Sequence, residues 1–331
     1  MTDKVERAVE KGLRYLVEEQ EGDGSWGAWP DRPEVFPVAV TGLVGLAFLA
    51  HGDTPTRGAH ADVVDRITSF LLAATVDLDP HVGLIHAGRE FVDDPRRGKG
   101  PRPMYGHAFA MTFLAQVYGQ EPDAARRERI GEVLRKAIAL TQRAQTNDGG
   151  WGYTPNFYED EGTLTVTQLQ ALRACRDAGI LVPRSVIDRG VEFIEKSANE
   201  DGSVRYNIEP EQRWRPGVTC AAVVALWNAG QYESPLFHRT KDFVNRRLDF
   251  GFSNNHHAEY VAYYLAQAKW VMGGKLWQDF YQDASVELVR LQRSEGYWTG
   301  SDEPIYGSTF ATAIALIVLQ LPYSRLPVYQ R

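Results

Sequence analysis

The chain has 331 residues, 44% hydrophobic and 24% charged, the balance of a globular fold with ample material for a core. Its formal net charge of -7 and the absence of a long lysine or arginine run exclude a broad electrostatic hold on nucleic acid. The amino terminus, MTDKVERAVEKGLRYL, is charged and amphipathic and shows no signal-peptide pattern, and the apolar run from Val38 to Ala50 is too short to span a bilayer. A cytoplasmic monomer with no transmembrane segment is therefore the expectation.

In chain order, charged amphipathic segments alternate with segments that are apolar nearly all round. The charged set is Val5–Glu19, Ala61–Thr75, Ala124–Gln145, Arg184–Ser197, Leu236–Arg247 and Leu276–Gln292. The apolar set reads EVFPVAVTGLVGLAFLAHG, PMYGHAFAMTFLAQVYG, GTLTVTQLQALRACRDAG, GVTCAAVVALWNAG, HHAEYVAYYLAQAKWVMG and YGSTFATAIALIVLQL. A helix with one charged face needs water on that side, whereas one without needs burial all round. Six of each predict an all-α fold, an α/α6 toroid with an inner ring inside an outer one, formed by residues 1–331 as a single domain. An open superhelix of helical pairs is the competing geometry.

The joints carry an internal repeat. Gln20, Gly24 and Trp26 recur at the same offsets as Gln145, Gly149 and Trp151, and again as Gln292, Gly296 and Trp298. A fourth copy, NEDGSVRY, has Val204 in the tryptophan place, and weaker copies are proposed around Gly83 and Gly251. Equal spacing argues that the indoles cement neighbouring repeats, with the glutamine amides bonding exposed backbone groups at helix ends.

These joints, typified by KGLRYLVEEQEGDGSWG, resemble the QW repeat of squalene and oxidosqualene cyclases. The ring resembles that of the β subunits of protein prenyltransferases. The resemblance implies an isoprenoid or similar apolar-tailed substrate in a central cavity, bound or processed there. A ring whose inner-helix amino termini share one rim attracts anions to it, and an apolar bore behind suits a hydrocarbon tail. The alternative is a noncatalytic toroid that holds a ligand or protein after losing the chemistry of its relatives.

The catalytic motifs of those relatives are incomplete. Squalene-type cyclases protonate an alkene through DxDD, which does not occur here; the nearest cluster before an inner helix is Glu159-Asp160-Glu161, so Asp160 and Glu161 are the candidate acids. His107, at the head of the second inner segment, is a third candidate for proton handling. Prenyltransferase β subunits bind zinc through Asp-x-Cys and a histidine. The resemblance would place Cys220 and His257 there, with His256 as a substitute, but Val218 stands in the aspartate place. No other cofactor is expected. No GCGEQ sequence occurs, which argues against thioester chemistry.

For substrate binding, Arg213 and Arg215 offer planar forks to an anion, and the resemblance implies a diphosphate-binding role for Arg215. Tyr105 and Tyr306, at equivalent heads of inner segments, join the substrate-binding candidates, and Trp214, Tyr260, Tyr263 and Phe109 supply ring faces that could meet a carbocation, or simply pack. Cys175 closes one inner segment and Cys220 opens the next. Parallel helices of about 16 residues would hold them about 24 Å apart, so both should be free thiols.

Overall fold

The computed structural model describes residues 2–27, 36–87, 102–156, 159–252, 257–301 and 303–330. Twelve α-helices occur among them: α1 Asp3–Glu18, α2 Pro37–His51, α3 Ala61–Ala73, α4 Pro103–Tyr118, α5 Ala124–Arg143, α6 Gly162–Asp177, α7 Arg184–Ser197, α8 Pro216–Asn228, α9 Pro235–Arg247, α10 Ala258–Met272, α11 Gly274–Leu291 and α12 Glu303–Gln320. The even-numbered helices form the inner ring. Each packs on the next, and α12 returns to pack on α2, with Gln320 Nε2 donating to Ala47 O at 3.0 Å across that seam. The ring is closed, as the pattern of the chain predicts.

Burial follows the sequence pattern. In α1 only Val5, Ala8, Val9, Gly12, Leu13 and Leu16 are buried, a single stripe at helical spacing, whereas α2 buries Val38 and every residue from Val40 to Ala50. Tyr306–Tyr323 is the one helical window among the described residues long and apolar enough to cross a membrane, and 67% of it is buried in the protein. It is also the inner helix that completes the ring.

The joints act as inter-repeat clips. Each repeated indole donates from Nε1 to a carbonyl of its own outer helix: Trp26 to Leu16 O at 2.9 Å, Trp151 to Thr141 O at 2.7 Å, Trp298 to Leu288 O at 2.7 Å. Gln20, Gln145 and Gln292 donate from Nε2 both to their own loop and to the next outer helix, at Val63 O, Val186 O and Ala8 O. The loop glycine then lies flat on that helix. An added Cβ at Gly24, Gly83, Gly149, Gly202 or Gly296 would fall 2.2 to 2.7 Å from a backbone oxygen, and all five have positive φ, so glycine is required on both counts. Gly251 does not share this role, for a Cβ there would meet nothing within 4 Å; in that joint the buried Phe252 is held by its N–H to Glu287 Oε1 instead.

Below the rim, side chains of the described residues cross the expected open bore. Thr163 and Tyr260, Thr167 and Tyr264, and Gln170 and Gln267 pair across the ring from α6 to α10, three rungs at successive helical turns. The helix between them, α8, has Gly217 beneath the first rung. A Cβ on Gly217 would lie 2.8 Å from the Tyr260 ring. At the lower end the carboxy-terminal turn Pro327–Tyr329 packs against α4 and α6, and Tyr329 hydroxyl meets Tyr263 hydroxyl at 2.9 Å. The ring is filled there by its own side chains.

Candidate active site

What remains accessible lies at the inner-helix amino termini, where Phe36, Ala39, Tyr105, Thr163, Tyr260, Tyr306 and Phe310 are only partly buried. Phe36, Tyr306 and Phe310 form one aromatic run, with centroids 5.3 and 4.9 Å apart. A cleft between the heads of α2 and α4 is lined by Phe36, Ala39, His86, Arg102 and Gly106.

Glu161 anchors the other side. It is the amino-terminal cap of α6: its Oε1 accepts the Leu164 N–H at 3.1 Å, satisfying one of the helix's unpaired donors. The same oxygen accepts the Tyr105 hydroxyl at 2.5 Å, and that hydroxyl also lies 2.7 Å from Thr163 Oγ1. Oε2 is buried and, among the described residues, makes no hydrogen bond of ordinary geometry. The following residue must be glycine, because Gly162 N donates to Tyr206 O at 2.6 Å and a Cβ would strike Val218 at 2.5 Å. This close approach carries the Tyr206 ring to the acid, where its hydroxyl bonds that of Tyr153.

Arg102 completes the group, its guanidinium 4.3 Å from the Tyr153 ring centroid. Glu161 is 3% exposed, and burial pushes its carboxyl above the ordinary glutamate value. Bonds from Thr163, Tyr105 and Tyr206 and the charge of Arg102 pull the other way without cancelling that cost. The arrangement is a buried carboxyl group flanked by phenol hydroxyls, able to hold a proton on Oε2.

The neighbouring acids are turned elsewhere. Asp160 is 8% exposed and accepts the Thr146 hydroxyl inside the joint, and burial raises its carboxyl too. Glu159 is exposed. Asp160 and Glu161 thus do not converge on one point despite being adjacent.

His107 is a joint residue rather than a rim residue. Its Nδ1 accepts the Ile85 N–H at 3.2 Å and its Nε2 lies 3.0 Å from Thr141 Oγ1. Thr41, Thr165, Thr219 and Thr312 do the same for Trp26, Trp151, Val204 and Trp298, so the imidazole replaces a threonine in the second repeat. It is 0% exposed, and burial pushes its pKa down to about 4.

Arg213, Trp214 and Arg215 are exposed, on the segment returning to α8. Arg215 reaches over the Tyr206 ring at 5.8 Å, which places it at the edge of the site, while Trp214 packs edge-on against Phe243 of α9, on the outer ring. Tyr260 and Tyr306 are at the rim; Tyr263, 1% exposed, belongs to the filled lower bore.

The residues offered for zinc do not fit it. Val218, in the aspartate place, is 1% exposed and apolar; Cys220 is fully buried, with its thiol pushed well above the usual range by burial. His257 is exposed with φ of 60° at the head of α10, and His256 lies outside the described residues. Among the described residues, neither Cys220 nor His257 belongs to a group of three ligand atoms. Both cysteines are free, as expected, and burial pushes the Cys175 thiol up to about 12.

Arg102, Tyr153, Thr163 and Tyr206 escaped the sequence reading. A signal existed: Tyr153 and Tyr206 each stand four residues after a joint glycine, Gly149 and Gly202, in consecutive repeats.

No family model matches the chain. A stretch of 63 residues is 43% identical to copalyl diphosphate synthase of Streptomyces anulatus, covering 18% of this chain and 12% of that protein. A stretch of 76 residues is 32% identical to an α-2-macroglobulin of Thermotoga maritima, covering 23% of this chain and 5% of that protein, so the chain spans only a small part of the curated relatives it matches. Likeness in structure runs nearly end to end. The type II terpene cyclase MstE from Scytonema superposes with a TM-score of 0.65 at 13% identity, covering 98% of this chain and 99% of that one. A variant of that cyclase bound to geranylgeranyl dihydroxybenzoate gives 0.60 at 14% identity, with 98% of each chain covered. The GH76A α-1,6-mannanase from Salegentibacter gives 0.66 at 9% identity, with 96% and 99% covered. The chain folds as the α/α toroid that the cyclase and the mannanase also adopt.

Proposed function

We propose that this protein is a proton-initiated cyclase of isoprenoid-type substrates, with Glu161 as the acid. One observation carries the reading: the Glu161 carboxyl, 3% exposed and with Oε2 unpartnered among the described residues, stands beside Tyr105 and Tyr206 at the inner-helix amino termini. The Oε2–H bond breaks as a new C–H bond forms from the alkene π pair, leaving a cation on the adjacent carbon. The rings of Tyr105 and Tyr260 stabilise that charge, those of Tyr153 and Tyr206 already lying under Arg102 and Arg215. Donation by Tyr105 and the Leu164 N–H to Oε1 stabilises the carboxylate left behind. Arg102 and Arg215 serve the anionic head of the substrate. Support comes from the shared fold of MstE, whose complex holds a geranylgeranyl compound.

A second reading, a noncatalytic ring that holds its ligand at the rim, is favoured by the filled lower bore. The test incubates the protein with geranylgeranyl diphosphate and geranylgeranyl dihydroxybenzoate and analyses extracts by mass spectrometry, with Glu161→Gln and Asp160→Asn alongside. Cyclised product that vanishes in Glu161→Gln and persists in Asp160→Asn is the expected result. Thermal stabilisation by either compound without product selects the noncatalytic ring, and neither effect would sink the isoprenoid reading altogether.

A further inference from the structure

At the rim opposite Glu161, α2 ends in His51 and the chain turns through Gly52 at φ of 105° into α3. The turn carries backbone bonds of its own, Gly52 N to Phe48 O and Leu49 O, Asp53 N to Phe48 O, and a reciprocal pair between Thr54 and Arg57 at 2.7 and 3.3 Å, and the Asp53 side chain adds to them. Two imidazoles converge on the one buried carboxylate inside it. His51 Nδ1 lies 2.8 Å and His60 Nδ1 3.0 Å from Asp53 Oδ2, and all three atoms fall within 4.8 Å of one another.

The surroundings are those of a metal site. Asp53 is fixed through its other oxygen, Oδ1, which accepts His60 N at 3.2 Å and leaves no space for a side chain at Gly58, where a Cβ would fall 2.1 Å away. Phe48 packs on the His60 ring at 5.2 Å and sets its orientation. The histidine side chains keep 31% and 23% of their surface exposed, whereas Asp53 keeps 2%, so an ion can enter from solvent and retain water. Two imidazole nitrogens and one carboxylate oxygen, with an open fourth position, are a donor set suited to a borderline-soft divalent ion.

We propose that His51, Asp53 and His60 bind a divalent transition ion of the zinc class through both Nδ1 atoms and Oδ2, with solvent as the fourth ligand. Each imidazole carries its proton on Nε2 in the bound form. The ion staples an inner helix to an outer one, and no step at Glu161 depends on it.

The test treats the purified full chain with chelator, then titrates Zn²⁺ by calorimetry and Co²⁺ by visible absorption. One equivalent should bind, with the visible bands of four-coordinate cobalt, and the thermal midpoint should rise with ion concentration. His60→Ala and Asp53→Asn should weaken binding by more than the roughly 10–100-fold that loss of an outer partner costs. Because Asp53→Asn removes a hub of the turn, His51→Gln, which keeps a polar side chain at the exposed helix end, serves as the folded control and should weaken binding equally. Zinc binding unchanged in His51→Gln and His60→Ala, or cobalt–thiolate absorption lost in Cys220→Ala, would overturn the assignment; so would no binding at all.

Discussion

Tyr260 and Thr163 meet across the inner ring, hydroxyl to carbonyl oxygen at 3.0 Å, although their helices are separated by α8. Gly217 makes this possible, so Gly217→Val should displace Tyr260 and cost about 1–3 kcal/mol, the usual price of overpacking. Urea denaturation would measure it. A loss below about 0.5 kcal/mol, the level of a neutral surface change, would mean that the rung does not depend on this contact.

The Glu161 carboxyl titrates above its unfolded value, so the folded state binds more protons than the unfolded chain across that window. Stability therefore falls as pH rises from the ordinary glutamate value, about 4.3, through the folded one. Glutamine keeps the acceptor for Leu164 N and does not titrate. The melting point of Glu161→Gln minus that of the wild type should be flat below about pH 4 and widen at higher pH. A constant difference from pH 3 to 9 would show that the acid is not perturbed.

His107 behaves in the opposite sense. Its folded pKa of about 4 lies below the ordinary histidine value, so the unfolded chain takes up the proton first. Stability should decline by about 1.4 kcal/mol per unit as pH falls from about 6.5 towards 4. His107→Thr, matching the four other joints, should remove that slope, seen as a flatter plot of unfolding free energy against pH.

Trp298 is the clip that joins the last repeat to the first, packed so close to Gly12 of α1 that a Cβ there would fall 2.9 Å from its ring. Trp298→Ala should cost about 3–5 kcal/mol. Gln292→Ala removes two donated bonds, about 1 kcal/mol each. Hydrogen exchange in α1 should rise in both variants before that in α6 does. Uniform loss of protection would show that the seam is no weaker than the rest.

The rings were legible because burial on one side and burial on all sides leave different compositions, as α1 and α2 show. The joints were legible because Gln, Gly and Trp return at fixed offsets. Ring contents were not: Thr163 and Tyr260 stand 97 residues apart, and nothing local announces that Gly217 of α8 lets them touch. His107, read as a candidate for proton handling or for an inter-repeat hydrogen bond, has the second task, and only the threonines at the matching places of other repeats reveal it. The His51, Asp53 and His60 group spans a turn whose irregular spacing follows no familiar ligand pattern.

The first helix has its main inner-ring partner in the last one. α1 packs on α11 and α12, and Tyr15 hydroxyl reaches Ser308 Oγ at 2.7 Å, 293 residues along the chain. During synthesis its apolar stripe leaves the ribosome long before α11 and α12 and must wait for them before it can dock, since nascent chains emerge from the amino-terminal side. Translation that stops before α12 emerges leaves an arc with two sticky ends, which is a substrate for chaperones rather than a smaller working protein.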